Sequence, residues 1–183
     1  MNDPFSKRNV FRALLTAGLI TKAKAKEILE KRESIEKKLD ERLRGQRAAG
    51  IKVADSVSII DVISSFDVKR ADGAFGRLDE DTIFQCLAKE WGVPYKKIDP
   101  LDLDLNVVTT TIPRSFALKH LVLPIAITGN RVTVATPNPF NTDVLEDVAR
   151  ACNLKVDTVV SSTSDIIKLN EEFFGFKRSI AAA

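Results

Sequence analysis

Apolar residues recur at helical spacing through the first half of the chain and give way to alternating, β-branched runs in the second, so the chain changes architecture part-way along. Val10, Phe11, Leu14 and Leu15 share one helical face, with Asp3-Pro4 as N-cap and first helical position and Gly18 as terminator. Thr21 caps a much longer predicted helix, with a narrow stripe of Ala25, Ile28, Leu29, Ile35, Leu39 and Leu43 running to the Gly45 to Gly50 region. Its remaining faces are charged. Glu27 and Lys31, Glu33 and Lys37, and Lys37 and Glu41 stand four apart, as on a solvated helix surface.

Ser56 to Phe66 fits a helix through Ile59, Ile60, Ile63 and Phe66, although its β-branched content also suits a buried strand; the helix is preferred. Asp67 to Gly76, with two glycines and several charges, reads as an exposed loop. Asp79-Glu80-Asp81 then supplies a cap and an acidic first turn for a helix burying Ile83, Leu87 and Trp91, which Gly92 and Pro94 end.

Beyond Trp91 the pattern mixes helices and strands. A short extended piece at Tyr95 to Ile98 precedes Asp99 to Asp104, where acids alternate with leucine, and Pro113 opens a short helix at Arg114 to His120. Leu121 to Thr128 and Arg131 to Thr136 read as strands joined by the hairpin pair Gly129-Asn130. Asn141 or Thr142 caps a helix with Val144, Leu145, Val148 and Cys152 inward; Lys155 to Val160 alternates as a strand. Ser162 or Thr163 caps a last helix carrying Ile166, Ile167, Phe173 and Phe174, closed by Gly175. The predicted class is α+β, a helical N-terminal unit followed by a small mixed sheet with helices packed on it in the order helix, strand, strand, helix, strand, helix. The expected domains are a helical unit with linker over 1–75, an α+β domain over 76–175 and a tail over 176–183.

Charge sharpens this division. The 183 residues are 44% apolar with a net charge of +3, which suits one mid-sized domain or two small ones and excludes wholesale disorder. Residues 1–50 hold 13 Lys and Arg against 7 Asp and Glu, whereas residues 51–183 hold 15 against 18, so a basic segment is joined to a slightly acidic one. Acids interspersed along the basic helix argue against nucleic-acid binding. The longest apolar run, Leu121 to Ile127, contains Pro124 and is far short of the roughly 20 residues of a membrane helix. Ala13 to Ile20 has the length of a signal-peptide core, but Asp3 precedes it and no A-x-A-like site directly follows. A soluble, cytoplasmic protein without direct membrane insertion is expected.

Enzyme chemistry is thinly represented. No G-x-x-x-x-G-K-[ST] loop is present, so the phosphate cradle of a P-loop ATPase is missing, and no G-x-S-x-G elbow occurs. His120 is the sole histidine, and Cys86 and Cys152 are far apart on helical stripes, which leaves no ligand set for zinc and no disulfide framework. Asp102 and Asp104 read as solvated or capping positions. No catalytic or metal-binding residue is assigned.

Several separated motifs nevertheless fall in a familiar order. Leu78-Asp79-Glu80-Asp81-Thr82-Ile83, Cys86-Leu87-Ala88, Trp91-Gly92-Val93-Pro94-Tyr95, Ile98-Asp99-Pro100-Leu101, Ile112-Pro113-Arg114, His120-Leu121-Val122-Leu123-Pro124, Val132-Thr133-Val134-Ala135-Thr136 and Asn138-Pro139 together resemble the N-terminal domain of type II secretion and type IV pilus assembly ATPases. The resemblance spans Gly76 to Gly175. It implies a non-catalytic docking module that couples the motor to the cytoplasmic part of an inner-membrane platform protein, with the ATP-binding core following in cis. ATP would belong only to that downstream domain. The chain ends at Ala183 without it, which leaves a fragment and a standalone adaptor both open.

The first helices also look like the family's upstream unit, which in some members binds cyclic di-GMP through an R-L-G…L…G-L-I type motif. Leu14, Leu15, Gly18, Leu19 and Ile20 match its latter part, and the resemblance implies Arg8, Arg12, Leu14, Leu15 and Gly18 as a partner or cyclic-dinucleotide surface. Asn9 stands where the motif arginine belongs and Phe11 where its glycine belongs. This removes a bidentate phosphate donor and obstructs close backbone approach. A second copy ending at Gly76 is poorer still, with Asp72 and Gly73 in place of its apolar pair.

Overall fold

The structure, a computed structural model, describes residues 3–183. Its contacts divide the chain into two compact units, Met1–Trp91 and Gly92–Ala183.

The first unit is built from α1 (Lys7–Thr16), α2 (Lys22–Ala48), α3 (Ile59–Ser65) and α4 (Glu80–Trp91). Its core gathers Val10 and Leu14 of α1, Ile28 of α2, Val62 and Ile63 of α3 and Ile83 and Leu87 of α4. Phe5 leans on two α4 rings, 6.5 Å from Phe84 and 5.3 Å from Trp91. α1 starts later than predicted. Asp3 Oδ1 accepts from the Phe5 N–H at 2.9 Å in a local turn, and the cap is Ser6, whose Oγ accepts from the Asn9 N–H at 3.3 Å. α2 is capped by Thr21 as expected. Leu29 leaves the predicted stripe and stands 45% exposed, because it lies a quarter-turn away from the buried Ile28. α3 forms over the ambiguous segment, fixed by a reciprocal box in which Ser58 caps the Asp61 N–H and Asp61 accepts from the Ser58 N–H.

The segment 67–76 is more ordered than a plain exposed loop. Val68 is buried, Lys69 bridges to Arg77, and Arg77 reaches back to the Asp67 carboxylate at 2.6 Å.

The second unit centres on a three-stranded mixed sheet, order β1-β2-β3, of β1 (Leu123–Thr128), β2 (Arg131–Thr136) and β3 (Lys155–Val160). β1 and β2 form the expected antiparallel hairpin, with Thr128 opposite Arg131 across Gly129-Asn130 and a bulge between Pro124 and Ala126. β2 and β3 pair in parallel from Arg131↔Lys155 to Thr136↔Val160, with α7 (Thr142–Cys152) as the crossover. Tyr95 adds a parallel bridge to Val160.

Helices cover both faces of this sheet. Val132 and Val134 pack with Val144 and Val148 of α7 and Ala117 of α6 (Arg114–His120). Leu123, Ile125 and Ala135 pack with Val108 of α5 (Leu105–Thr110) and Ile166 and Leu169 of α8 (Thr163–Ala182). Asn170, fully buried on α8, donates through Nδ2 to the carbonyl oxygens of Val122 and Ile166. The α+β class and its element order stand as the pattern predicts.

Three further details depart from the sequence reading. α5 is unforeseen, because its Val-Val-Thr-Thr run mimics a strand. Asp104 caps it through the Asn106 and Val107 N–H groups, and Thr109, Thr110 and Thr111 each donate a hydroxyl to the carbonyl four residues back. β1 begins at Leu123, since Leu121 takes a left-handed φ of 52° to close α6. Gly175 does not end α8, which continues to Ala182. No described helix is long and apolar enough to cross a membrane.

Candidate functional site

The five residues implied as a site are divided between the surface and the core. Arg8 and Arg12 are exposed, one helical turn apart on α1, and Leu15 is half-buried beside them. Leu14 points the other way into the core, with no measurable exposure. Gly18 takes φ +69° and closes the helix: its N–H donates to the Leu15 carbonyl at 3.1 Å, and the Leu19 N–H donates to the Leu14 carbonyl at 2.9 Å. This is a Schellman stop, which places Gly18 at the left-handed position and buries the flanking Leu14 and Leu19. The G-L-I similarity therefore has a local folding cause of its own.

The two departures from the motif are equally committed to structure. Asn9 is buried, and its Nδ2 donates to the Asp3 carbonyl at 2.6 Å, tying down the start of the described chain. Its Oδ1 is buried with no partner, a local cost that the helix tolerates. Phe11 is 6% exposed and belongs to the core.

A groove of about 550 Å³ lies beside these residues, within the range of small-molecule sites. Ala13 and Thr16 of α1 with the following Ala17 form one wall, Cys86 and Lys89 of α4 another, and Arg70 and Asp72 close it from the 67–76 segment. The Ala71 N–H donates to the Leu19 carbonyl at 3.0 Å, which fastens that segment to the Schellman turn. A second groove of about 410 Å³ opens near Ile20, Thr21 and Lys69. None of the five implied residues lines the larger groove.

Its electrostatics are balanced. Arg70 clamps Asp72 with Nε at 3.1 Å and Nη2 at 2.7 Å, and Asp72 also accepts from the Ala74 N–H. These bonds, the Arg70 contact first, hold the Asp72 carboxyl below its ordinary range and push the Arg70 guanidinium further up. Cys86 is half-buried with its Sγ 3.6 Å from the Ala13 carbonyl; burial, reinforced by Glu90, pushes its thiol up and leaves it a poor nucleophile. The wall carries cations and anions in equal number, Arg70 and Lys89 against Asp72 and Glu90. Such a groove is equipped to bind through hydrogen bonds and small apolar contacts.

Sequence reasoning did not find Arg70, Asp72 or Cys86 as neighbours. The glycines and charges of residues 67–76 carry only a loop signal, and the groove exists because Val68 is buried and Lys69 meets Arg77. Among the described residues, no group of three or more His, Cys, Asp or Glu is placed to hold a metal ion.

Comparison with known proteins finds similarity mainly in the second unit. Residues 91–180 match the MshEN domain model. The type IV pilus assembly ATPase TfpB of Acinetobacter baylyi is 26% identical over 119 residues, 64% of this chain and 20% of the relative. The type IV pilus assembly ATPase PilB of Myxococcus xanthus is 28% identical over 102 residues, 56% of this chain and 18% of the relative. The chain thus spans about a fifth of the length of these relatives. The fold is shared with a solved structure of MshE with cdg, at TM-score 0.51 and 16% identity, covering 90% of this chain and 97% of that one. It is also shared with the N-terminal domain of XpsE, at TM-score 0.51 and 12% identity, covering 93% and 97%. Residues 91–180 are thus similar to the MshEN domain, and the chain resembles part of the type IV pilus assembly ATPases and shares its fold with MshE and the N-terminal domain of XpsE.

Proposed function

We propose that this chain is a non-catalytic docking and regulatory module, coupling a pilus-assembly or type II secretion ATPase to the cytoplasmic part of an inner-membrane platform protein. The observation that supports this reading is the match of residues 91–180 to the MshEN domain model, beside a separate compact unit over Met1–Trp91. Where the chain is part of a full-length ATPase, the ATPase core acts in cis, on the cytoplasmic face of the membrane. Titration calorimetry of the purified chain with the cytoplasmic domain of its own platform protein tests this; saturable binding is expected, and none at high micromolar concentration overturns it.

A second reading, cyclic di-GMP sensing, draws on the groove beside the Gly18 turn and on the fold shared with MshE with cdg. Arg70 offers a guanidinium from the far wall, but Asp72 already occupies it. Asn9 supplies no charge at the motif's arginine position. Calorimetry with the dinucleotide separates the two readings. Micromolar binding abolished by Arg70→Ala at the groove or by Arg8→Ala on the exposed face of α1 favours the sensor, and no binding leaves docking as the function.

A further inference from the structure

α2 extends well past its helical partner. Its 27 residues span roughly 40 Å, whereas α3, against which it packs, has 7 residues and spans roughly 10 Å. Burial in α2 is confined to Ala25 and Ile28, near its start. Ile35, Leu39 and Leu43 continue the same stripe half-buried, and past the helix end Arg47 Nη2 donates to the Asp55 carbonyl at 3.1 Å. A Schellman stop at Gly50, with Ile51 N–H donating to the Gln46 carbonyl at 2.9 Å, ends the helix sharply.

The two edges of this stripe differ in charge. Lys24, Lys31 and Lys38 recur every seven residues and Arg42 follows one turn on, so all four line one edge. Glu27 offsets one charge, accepting from Lys24 at 2.6 Å and Lys31 at 3.0 Å, and Lys38 and Arg42 stay exposed. On the other edge Glu36 pairs with Arg32 and Asp40 with Arg44. Past Arg32 the seam is thus apolar at four-residue spacing, Ile35, Leu39 and Leu43, with one cationic border, a pattern that accepts another helix side by side.

We propose that α2 beyond Ile28 is the docking surface for an acidic amphipathic helix of the partner, which lays its apolar side on Ile35, Leu39 and Leu43 and its carboxylates along Lys31, Lys38 and Arg42. This rests on the docking reading above and names its surface and partner chemistry. An antiparallel second copy is the wrong occupant, since α2 carries 10 basic against 6 acidic residues and the two basic rows would meet face to face; in a parallel copy the acids that would meet the row, Glu36 and Asp40, are already paired with Arg32 and Arg44. Nucleic acid is disfavoured by Glu27 within the row.

The test uses the full chain and a labelled four-heptad peptide with leucine at a and d and glutamate at e and g, followed by fluorescence anisotropy. Saturable binding that weakens with salt is expected, about tenfold or more weaker for Lys31→Glu/Lys38→Glu/Arg42→Glu. That triple variant should gain binding to the lysine version of the peptide. Lys26→Glu/Lys37→Glu/Arg44→Glu makes the same charge change on the opposite face and should bind like the wild type. No binding of the glutamate peptide, equal loss in both triple variants, or stronger binding to duplex DNA or phosphatidylglycerol vesicles overturns the proposal. If the first triple variant still binds the platform domain, this surface is refuted while docking stands; if the wild type binds no platform domain, the docking reading itself falls.

Discussion

Arg70 and Asp72 stand two residues apart and meet side chain to side chain through Nε at 3.1 Å and Nη2 at 2.7 Å, so the groove's best anion donor is occupied by its own chain. Asp72 should therefore titrate below the ordinary aspartate value of about 3.9. Its contribution to stability is complete above that value and is lost as pH falls through the lower, folded one. Carbon-detected NMR titration checks this: Arg70→Ala should return Asp72 towards the ordinary value, and an unchanged titration would show that the clamp is not formed in solution.

Cys86 shifts the opposite way. Burial holds its thiol protonated past the ordinary cysteine value of about 8.5. The folded state keeps a proton that the unfolded chain gives up, so stability should decline as pH rises above 8.5. Labelling of Cys86 with a disulfide reagent should be slower than that of a free thiol at pH 8. A ligand seated in the groove should slow it further, and labelling at the free-thiol rate would mean the α1–α4 wall opens readily.

Gly18 separates a folding role from a binding role. Its φ of +69° is strained for any L side chain, and an added Cβ would meet nothing within 4 Å, so Gly18→Ala should cost about 1 kcal/mol through backbone conformation alone. Gly18→Asn should cost less. Chemical denaturation measures both; no loss for alanine would contradict the Schellman stop.

Gly175 predicts the reverse sign. It lies inside α8 with ordinary helical backbone and open space around it, so Gly175→Ala should stabilise by about 0.5–1 kcal/mol. A helix that ended here in left-handed conformation would be destabilised instead.

Asp104 tests the helix that sequence pattern missed. Removing its cap with Asp104→Ala should cost about 1 kcal/mol, with faster amide exchange confined to Leu105–Thr110.

What could be read from the chain follows the range of the interactions involved. The hairpin at Gly129-Asn130, the cap at Thr21 and most of the stripes of α4 and α7 are set by neighbours a few residues away, and they are legible; Trp91 is only half-buried, and the pattern leaves Ser162, the actual cap, beside Thr163. α5 was hidden because β-branched threonines read as strand until their hydroxyls are seen bonded to the preceding turn. Leu121, in left-handed conformation without being glycine, gives no sequence signal for the end of α6. The helix Glu80–Trp91 shows a subtler limit: the family motifs run through it from Leu78, while its contacts with α1 and α3 place it in the first compact unit. The groove was least legible of all. Cys86 and Arg70 become neighbours only after α4 docks on α1 and Val68 is buried, and no local pattern encodes that.

The mixed sheet carries a consequence for how the second unit comes apart. β2 is bonded along both sides, to β1 in antiparallel and to β3 in parallel, while it also anchors valines to α7 and Ala135 to the opposite layer. Neither neighbour can detach without leaving β2 half-paired, and β2 cannot open until one of them has gone. Its amides should be the last in the unit to exchange with solvent deuterium, so Val132 to Ala135 would report global unfolding while β1 and the Tyr95 bridge report partial opening.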